Sequence, residues 1–135
     1  MQRIMQTRLG DTGNCMSACL AMVLGLEIEQ VPNFFDLAGR DSEKWWQEIR
    51  MWLRPRGYDF VLISASASWI TGIGGALIVG GQTDRGTSHA VVYLDGKLFH
   101  DPHPDGTGLI EPEDVTLIYP IDPSAFEFKG HQHGR

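Results

Sequence analysis

The apolar residues of this chain fall into two regimes, helical spacing in the first half and short strand-like runs in the second. Cys15, Ala18, Cys19, Met22 and Val23 recur at i, i+3, i+4, i+7 and i+8, one face of a helix. Leu20, Ala21 and Leu24 fill the other side, so this helix is apolar nearly all round and belongs at the centre of a core. Asn14 is a residue type that caps helix starts, and Gly25 is one that ends them. Leu26 to Val31 leaves room for one more short helical turn before Pro32. Trp45, Ile49, Trp52 and Leu53 repeat at helical spacing behind Asp41 or Ser42 as cap, and Pro55 and Gly57 stop them.

After Gly57 the pattern changes. Tyr58 to Ile63 reads as a strand, 64–74 as a loop or weak helical turn, and Ala76 to Val79 as a short buried strand between glycines. Ser88 to Leu94 and Lys97 to His100 flank Asp95-Gly96, a strong hairpin signal. Asp101 to Gly108 is a proline- and glycine-rich loop. Val115 to Ile121 is a last strand closed by Pro123, and Lys129 to Arg135 reads as a frayed, flexible polar tail. Helices first and an antiparallel sheet afterwards predict an α+β fold, with a central N-terminal helix that carries Cys15 packed on the C-terminal sheet. Neither an internal repeat nor a linker divides the chain, so residues 1–135 are expected to form a single domain.

Charge and composition narrow the function classes. A net charge of −6 with no basic cluster argues against nucleic acid as a partner, Arg54-Pro55-Arg56 being too short to count. No apolar run approaches the ~18 residues of a membrane span. The start, Met1 to Gln6, lacks the apolar core of a signal peptide, so the expected location is cytoplasmic. Sulfur chemistry is limited to Cys15 and Cys19, one helical turn apart. A disulfide there would cross-link nothing distant, so both read as free thiols, Cys19 as a small core residue.

Cys15 is different because it opens its helix. A thiol becomes nucleophilic as thiolate, and a helix N-terminus and a neighbouring imidazolium both favour that form. His89, at the start of a buried strand, is the candidate base. Asp101, across the hairpin, is the candidate acceptor for the far imidazole nitrogen. Strand parity sets a condition: with a two-residue turn and regular pairing His100, not Asp101, shares the side of His89, so a bulge or an end-of-strand twist is required. A developing oxyanion needs donors, and the N–H of Cys15 and the side chain of Gln6 are the candidates, with Gln2 and Asn14 behind them. His100, Asp101 and His103, with His131 or His133 as further options, form a weaker candidate metal set, since zinc sites favour paired short spacings. Gly72-Ile73-Gly74-Gly75 lacks the helix that a phosphate loop requires. Trp45, Trp46 and Trp52 are expected in the core and the wall of a groove.

Together Gln6, Cys15, His89 and the Asp101-Pro102 pair resemble the papain-like cysteine peptidases, most of all the double-glycine leader peptidases of bacterial secretion systems and their relatives. The resemblance spans roughly residues 6 to 121. It implies a papain-like fold in a bacterial or phage setting, with Cys15 as nucleophile, His89 as general base, Asp101 as orienting acid and Gln6 as oxyanion donor. Asn14 and Met16 stand where the family often has an acid and a glycine, and the gap between Gln6 and Cys15 is longer than usual. The expected reaction is hydrolysis of a peptide or related amide bond through a thioacyl intermediate. The expected partner is a peptide or protein substrate, without metal, organic cofactor or membrane. An amidase, a transglutaminase-like enzyme or an acyltransferase on the same scaffold, or a silent papain-like binding module, remain open readings.

Overall fold

A computed structural model describes residues 1–122; Pro123, His131, His133 and the tail Lys129–Arg135 lie outside them. Helix α1 (Cys15–Leu24) is buried from Met16 through Met22, and Gly25 closes it in the left-handed conformation at φ 70°. The expected extra turn is a 3₁₀ turn at Ile28–Gln30. A second helix, α2 (Phe34–Ala38), was not expected from the apolar pattern. It is set by Asn33, whose side chain accepts from the Phe35 N–H, and it buries Phe34 edge-on between the rings of Trp45 and Trp52. Helix α3 (Ser42–Leu53) starts at Asp41, whose carboxylate accepts from the Lys44 N–H at 3.1 Å, and it runs into a 3₁₀ turn at Arg54–Arg56.

The strands are β1 (Tyr58–Ser64), β2 (Ala76–Gln82), β3 (Ser88–Leu94), β4 (Lys97–His100) and β5 (Glu111–Pro120), with a one-turn helix α4 (Ala67–Ile70) between β1 and β2. They form one antiparallel sheet in the order β1-β5-β2-β3-β4, so the mixed helix-and-sheet arrangement is α+β. Two strands outrun their apolar signal. β2 continues past Val79 to Gln82, because Gly80 and Gly81 pair with Ala90 and His89 instead of turning. β5 begins at Glu111 rather than Val115, and Ile121 lies just beyond its end at Pro120. Main-chain pairing asks for no apolar side chain, which is why the composition of these segments hid them.

The sheet is covered on both faces. On one, Phe60, Ile78, Ala90 and Val92 pack against α1 and α3 through Leu20, Ile49 and Leu53. On the other, Leu77, Val79, Val91 and Val115 surround Ile70 of α4. Central strands buried on both sides carry unbroken apolar runs, so Ala90-Val91-Val92 shows no alternation. Among the described residues no single helix is long and apolar enough to cross a membrane.

Candidate active site

The site is built at the end of a hairpin. Leu94 pairs with Lys97, so the turn is Asp95-Gly96, with φ of 51° and 82° at its two residues. Asp95 is tied to Gly75, donating its N–H to the Gly75 carbonyl at 3.0 Å and accepting the Gly75 N–H on Oδ1 at 2.8 Å. The next pair is Tyr93↔Leu98, but the one after it is Val92↔His100, so Phe99 is an extra residue in β4. This bulge reverses the parity of everything that follows and puts Asp101 on the side of Val91 and His89. The two-residue turn and the bulge together meet the condition set by strand parity.

His89 Nε2 lies 2.6 Å from Asp101 Oδ1, and both side chains are almost wholly buried. The Asp101 carboxylate is held further by its own loop: Oδ1 accepts the His103 N–H at 2.9 Å and Oδ2 the Gly108 N–H at 2.8 Å. Burial pushes the Asp101 carboxyl up, but His89 and the two N–H groups outweigh it, and the net direction is down. An ionised Asp101 only accepts, so the Nε2 of a neutral His89 donates and Nδ1 keeps the lone pair. Burial holds the His89 imidazole below its ordinary value despite the pull of Asp101. The loop is latched from outside by an Arg85–Asp105 ion pair.

Cys15 is half-buried at the mouth of α1, and both thiols of the chain are free. The sequence pointed to a depressed thiol; the environment pushes it the other way. Burial raises Cys15 most strongly, and the N–H groups of Ala90 and Met16, which favour the thiolate, do not overcome it. The Ala90 N–H belongs to the peptide that follows His89, so the sulfur meets β3 beside the imidazole-bearing residue. The pairing of β4 with β3 runs from Leu94 to Val92, and the Ser88–Ala90 stretch beyond it is where the thiol approaches. Cys19 is fully buried and is raised well above its ordinary value by burial.

Asn14 precedes α1, yet its side chain does not cap the helix. Instead Oδ1 accepts the N–H groups of Thr7 and Arg8, both at 2.9 Å, and Nδ2 donates to Thr7 Oγ1 at 2.8 Å. The first turn of α1 carries no acidic residue either, so its N–H groups remain available to an anion at the Cys15 end. What Asn14 holds is the segment that carries Gln6. Gln6 is buried, donates its N–H to the Pro102 carbonyl at 3.0 Å and one amide hydrogen of Nε2 to the Arg8 carbonyl at 2.8 Å. The second amide hydrogen is not needed for that contact. Gln2 is exposed and lines neither arm of the groove described next.

A groove passes over Cys15 and His89 and has two arms. One, a cavity of about 390 Å³, is walled by Met16, Trp45, Trp46 and Ala90, with Gly80 and Asp114 farther along. The other, about 520 Å³, carries more polar groups than the first and is lined by Gln6, Asp11, Arg85, Thr87 and His103. Trp45 and Trp46 thus stand in the groove wall, whereas Trp52 packs under Arg56 and beside Phe34. Asp114, Gly80 and Arg85 were not singled out from the sequence. Asp114 sits two positions before buried Thr116 on the same strand face, a signal available only once β5 is read back to Glu111. Among the described residues no three His, Cys, Asp or Glu side chains gather as a metal site, and the oxygens of Asp101 are committed to His89, His103 and Gly108. No family model, curated protein or solved structure matches the chain.

Proposed function

We propose that this protein is a cysteine-dependent hydrolase of a peptide or related amide bond, working on a papain-like version of the α+β fold. The observation that carries the reading is the buried His89–Asp101 contact of 2.6 Å. It fixes one imidazole nitrogen and leaves the other for a groove in which Cys15 stands at a helix mouth.

Both reacting groups are neutral at rest, since burial moves the thiol up and the imidazole down. The Cys15 sulfur attacks the carbonyl carbon while its proton passes to His89 Nδ1. The carbonyl π pair moves onto oxygen, which meets the Cys15 N–H and the second amide hydrogen of Gln6. As the pair returns, the C–N bond breaks and His89 gives its proton to the departing nitrogen. Water, deprotonated by His89, then attacks the thioacyl carbon, and the thiolate leaves and recovers the proton. Asp101 holds the imidazole orientation throughout and stabilises its cationic form. An amine in place of water would turn the same residues to acyl transfer. The reading places the protein in the cytoplasm, acting on a peptide or protein chain.

The test is acylation by p-nitrophenyl acetate, with nitrophenolate release and the mass of the protein followed together. A burst with acetyl on Cys15, slowed in His89→Ala and with Cys19 unmodified, is the expected result. Iodoacetamide should likewise alkylate Cys15 first, and more slowly in His89→Ala. A Cys15 that is inert, or indifferent to His89, would leave a scaffold that only binds.

A further inference from the structure

The apolar arm of the groove has a floor made by one row of the sheet. Ala90 on β3, Gly80 on β2 and Asp114 on β5 are direct neighbours in that order, on the face that α1 and α3 cover farther along. The row begins at Ala90, which lines the arm together with Cys15. Asp114 lies two strand spacings away, roughly 9.6 Å at about 4.8 Å each. That is the reach of an extended lysine or arginine side chain whose backbone sits over the thiol. Gly80 makes room for the carboxylate itself: Asp114 Oδ1 leans over it, where a Cβ would collide, so the charge stands nearer Ala90 than the Asp114 backbone does. The rings of Trp45 and Trp46 wall the same cavity, a surface that suits the methylene stem of a long cationic side chain and attracts its head.

The end of the row is negative, and no ion pair is formed there among the described residues. Glu113 also lines the arm, and its Oε1 accepts only a neutral donor, the Gln82 amide, at 3.3 Å. Most of the described arginines are engaged elsewhere: Arg8 on Asp36, Arg50 and Arg54 on Asp59, Arg85 on Asp105, Arg3 over Phe99 and Arg56 over Trp52, while Arg40, which also lines this arm, pairs with Asp11 at 3.4 Å. Among the described residues no ion pair reaches Asp114; partial burial and Glu113 push its carboxyl up, and the Gly80 N–H offsets them only in part. A cationic side chain laid in the row would reverse that cost. The net charge of −6 draws the same class of ligand.

We infer that the apolar arm is a specificity subsite for a basic residue of the substrate, with its stem on the Trp45 and Trp46 rings and its cationic head at Asp114. This rests on the proposed thiol chemistry and adds the substrate class to it: a peptide carrying lysine or arginine beside the bond that is cut.

Affinity labels read the subsite without a known substrate. Acetyl-lysyl, acetyl-leucyl and acetyl-glutamyl chloromethyl ketones are to be compared by the rate at which each alkylates Cys15. The lysyl label is expected to react about tenfold or more faster than the leucyl one. That ratio should fall towards one in Asp114→Asn and be retained in Asp114→Glu, with circular dichroism confirming that each variant is folded. Equal rates in the native chain, or a lysyl preference untouched by Asp114→Asn, would overturn the inference. Binding of the matching lysyl and leucyl peptides to the Cys15→Ser chain gives the same comparison without any reaction, and equal affinities there would overturn it too. The effect of His89→Ala on p-nitrophenyl acetate acylation remains the separate test of the chemistry.

Discussion

His89 Nε2 and Asp101 Oδ1 stand 2.6 Å apart because Phe99 bulges out of β4 between them and the hairpin turn. The contact is buried, and the chemistry proposed for Cys15 depends on it more than on any other pair. Asp101→Asn keeps the size of the group but presents a neutral amide to Nε2, losing the charge and the preference for one tautomer. Turnover should fall by about 10²–10⁴-fold with the fold retained. Burst amplitude and rate with p-nitrophenyl acetate, beside a circular dichroism spectrum, check this.

The pH profile follows from the direction in which His89 is shifted. Its imidazole lies below its ordinary value of 6.5, so it can accept a proton at neutral pH and loses that ability as pH falls through the lowered value. The acylation rate should therefore have an acid limb below 6.5 and none attributable to His89 above it. Asp101 is a cause that raises His89, so Asp101→Asn should move the midpoint lower still. Proton NMR titration of the ring in both chains decides the matter, and an upward shift in the variant would contradict it.

Gly13 is a tight point. A Cβ there would lie 3.0 Å from the carbonyl oxygens of Arg8 and Gly10 and 3.2 Å from Gln6 Nε2. Gly13→Ala should push the Gln6 segment away from the helix mouth and lower the acylation rate by up to about 10²-fold. Alkylation of Cys15 by iodoacetamide, which develops no oxyanion, should change much less. Equal losses in both reactions would refute a positioning role.

Asn14→Ala removes three hydrogen bonds that tie Thr7 and Arg8 to the start of α1. The expected loss is about 1–3 kcal/mol of stability from unpaired N–H groups, read as a lower urea midpoint at unchanged slope. If Asn14 acted as a helix cap instead, Asn14→Ser would restore the midpoint. The observed partners predict that it does not.

Asp59 joins α3 to β1 and is a stability device. Its carboxylate accepts from Arg50 at 2.9 Å, from Arg54 at 3.1 Å and from the Phe60 N–H at 2.8 Å. Partial burial raises the carboxyl, but these donors together hold it below its ordinary 3.8. A carboxyl depressed in the folded state contributes stability that is fully present above 3.8 and is lost as pH falls through the folded value. Thermal melts between pH 7 and pH 2 should show that loss in the native chain, and Asp59→Asn should be less stable at pH 7 and lose less on acidification.

What could be read from the sequence divides along physical lines. α1, α3 and the Asp95-Gly96 hairpin were legible because their apolar spacing and turn residues are local signals. The site depended on a non-local one. Asp101 reaches His89 only through the Phe99 bulge, which no composition rule marks, although parity showed that some irregularity was required. The thiol shift was misread because a helix start is visible in sequence while burial against Ala90 is not. Asn14 was legible as a cap by residue type, yet its partners lie back in the N-terminal segment. Asp114 stayed hidden because it belongs to the polar beginning of β5, where pairing with Gly80 and not apolar content defines the strand.

The position of β5 has a consequence for when this protein comes into being. It is the last of the described strands in the chain and yet lies between β1 and β2, pairing residues such as Phe60 and Ile118 that are far apart in sequence. During synthesis the ribosome releases Cys15 early, but the sheet that braces His89 stays split until Glu111–Pro120 has emerged. Such long-range pairings close slowly. Until that strand has joined, the Cys15 thiol proposed as nucleophile stands without the completed sheet that carries His89.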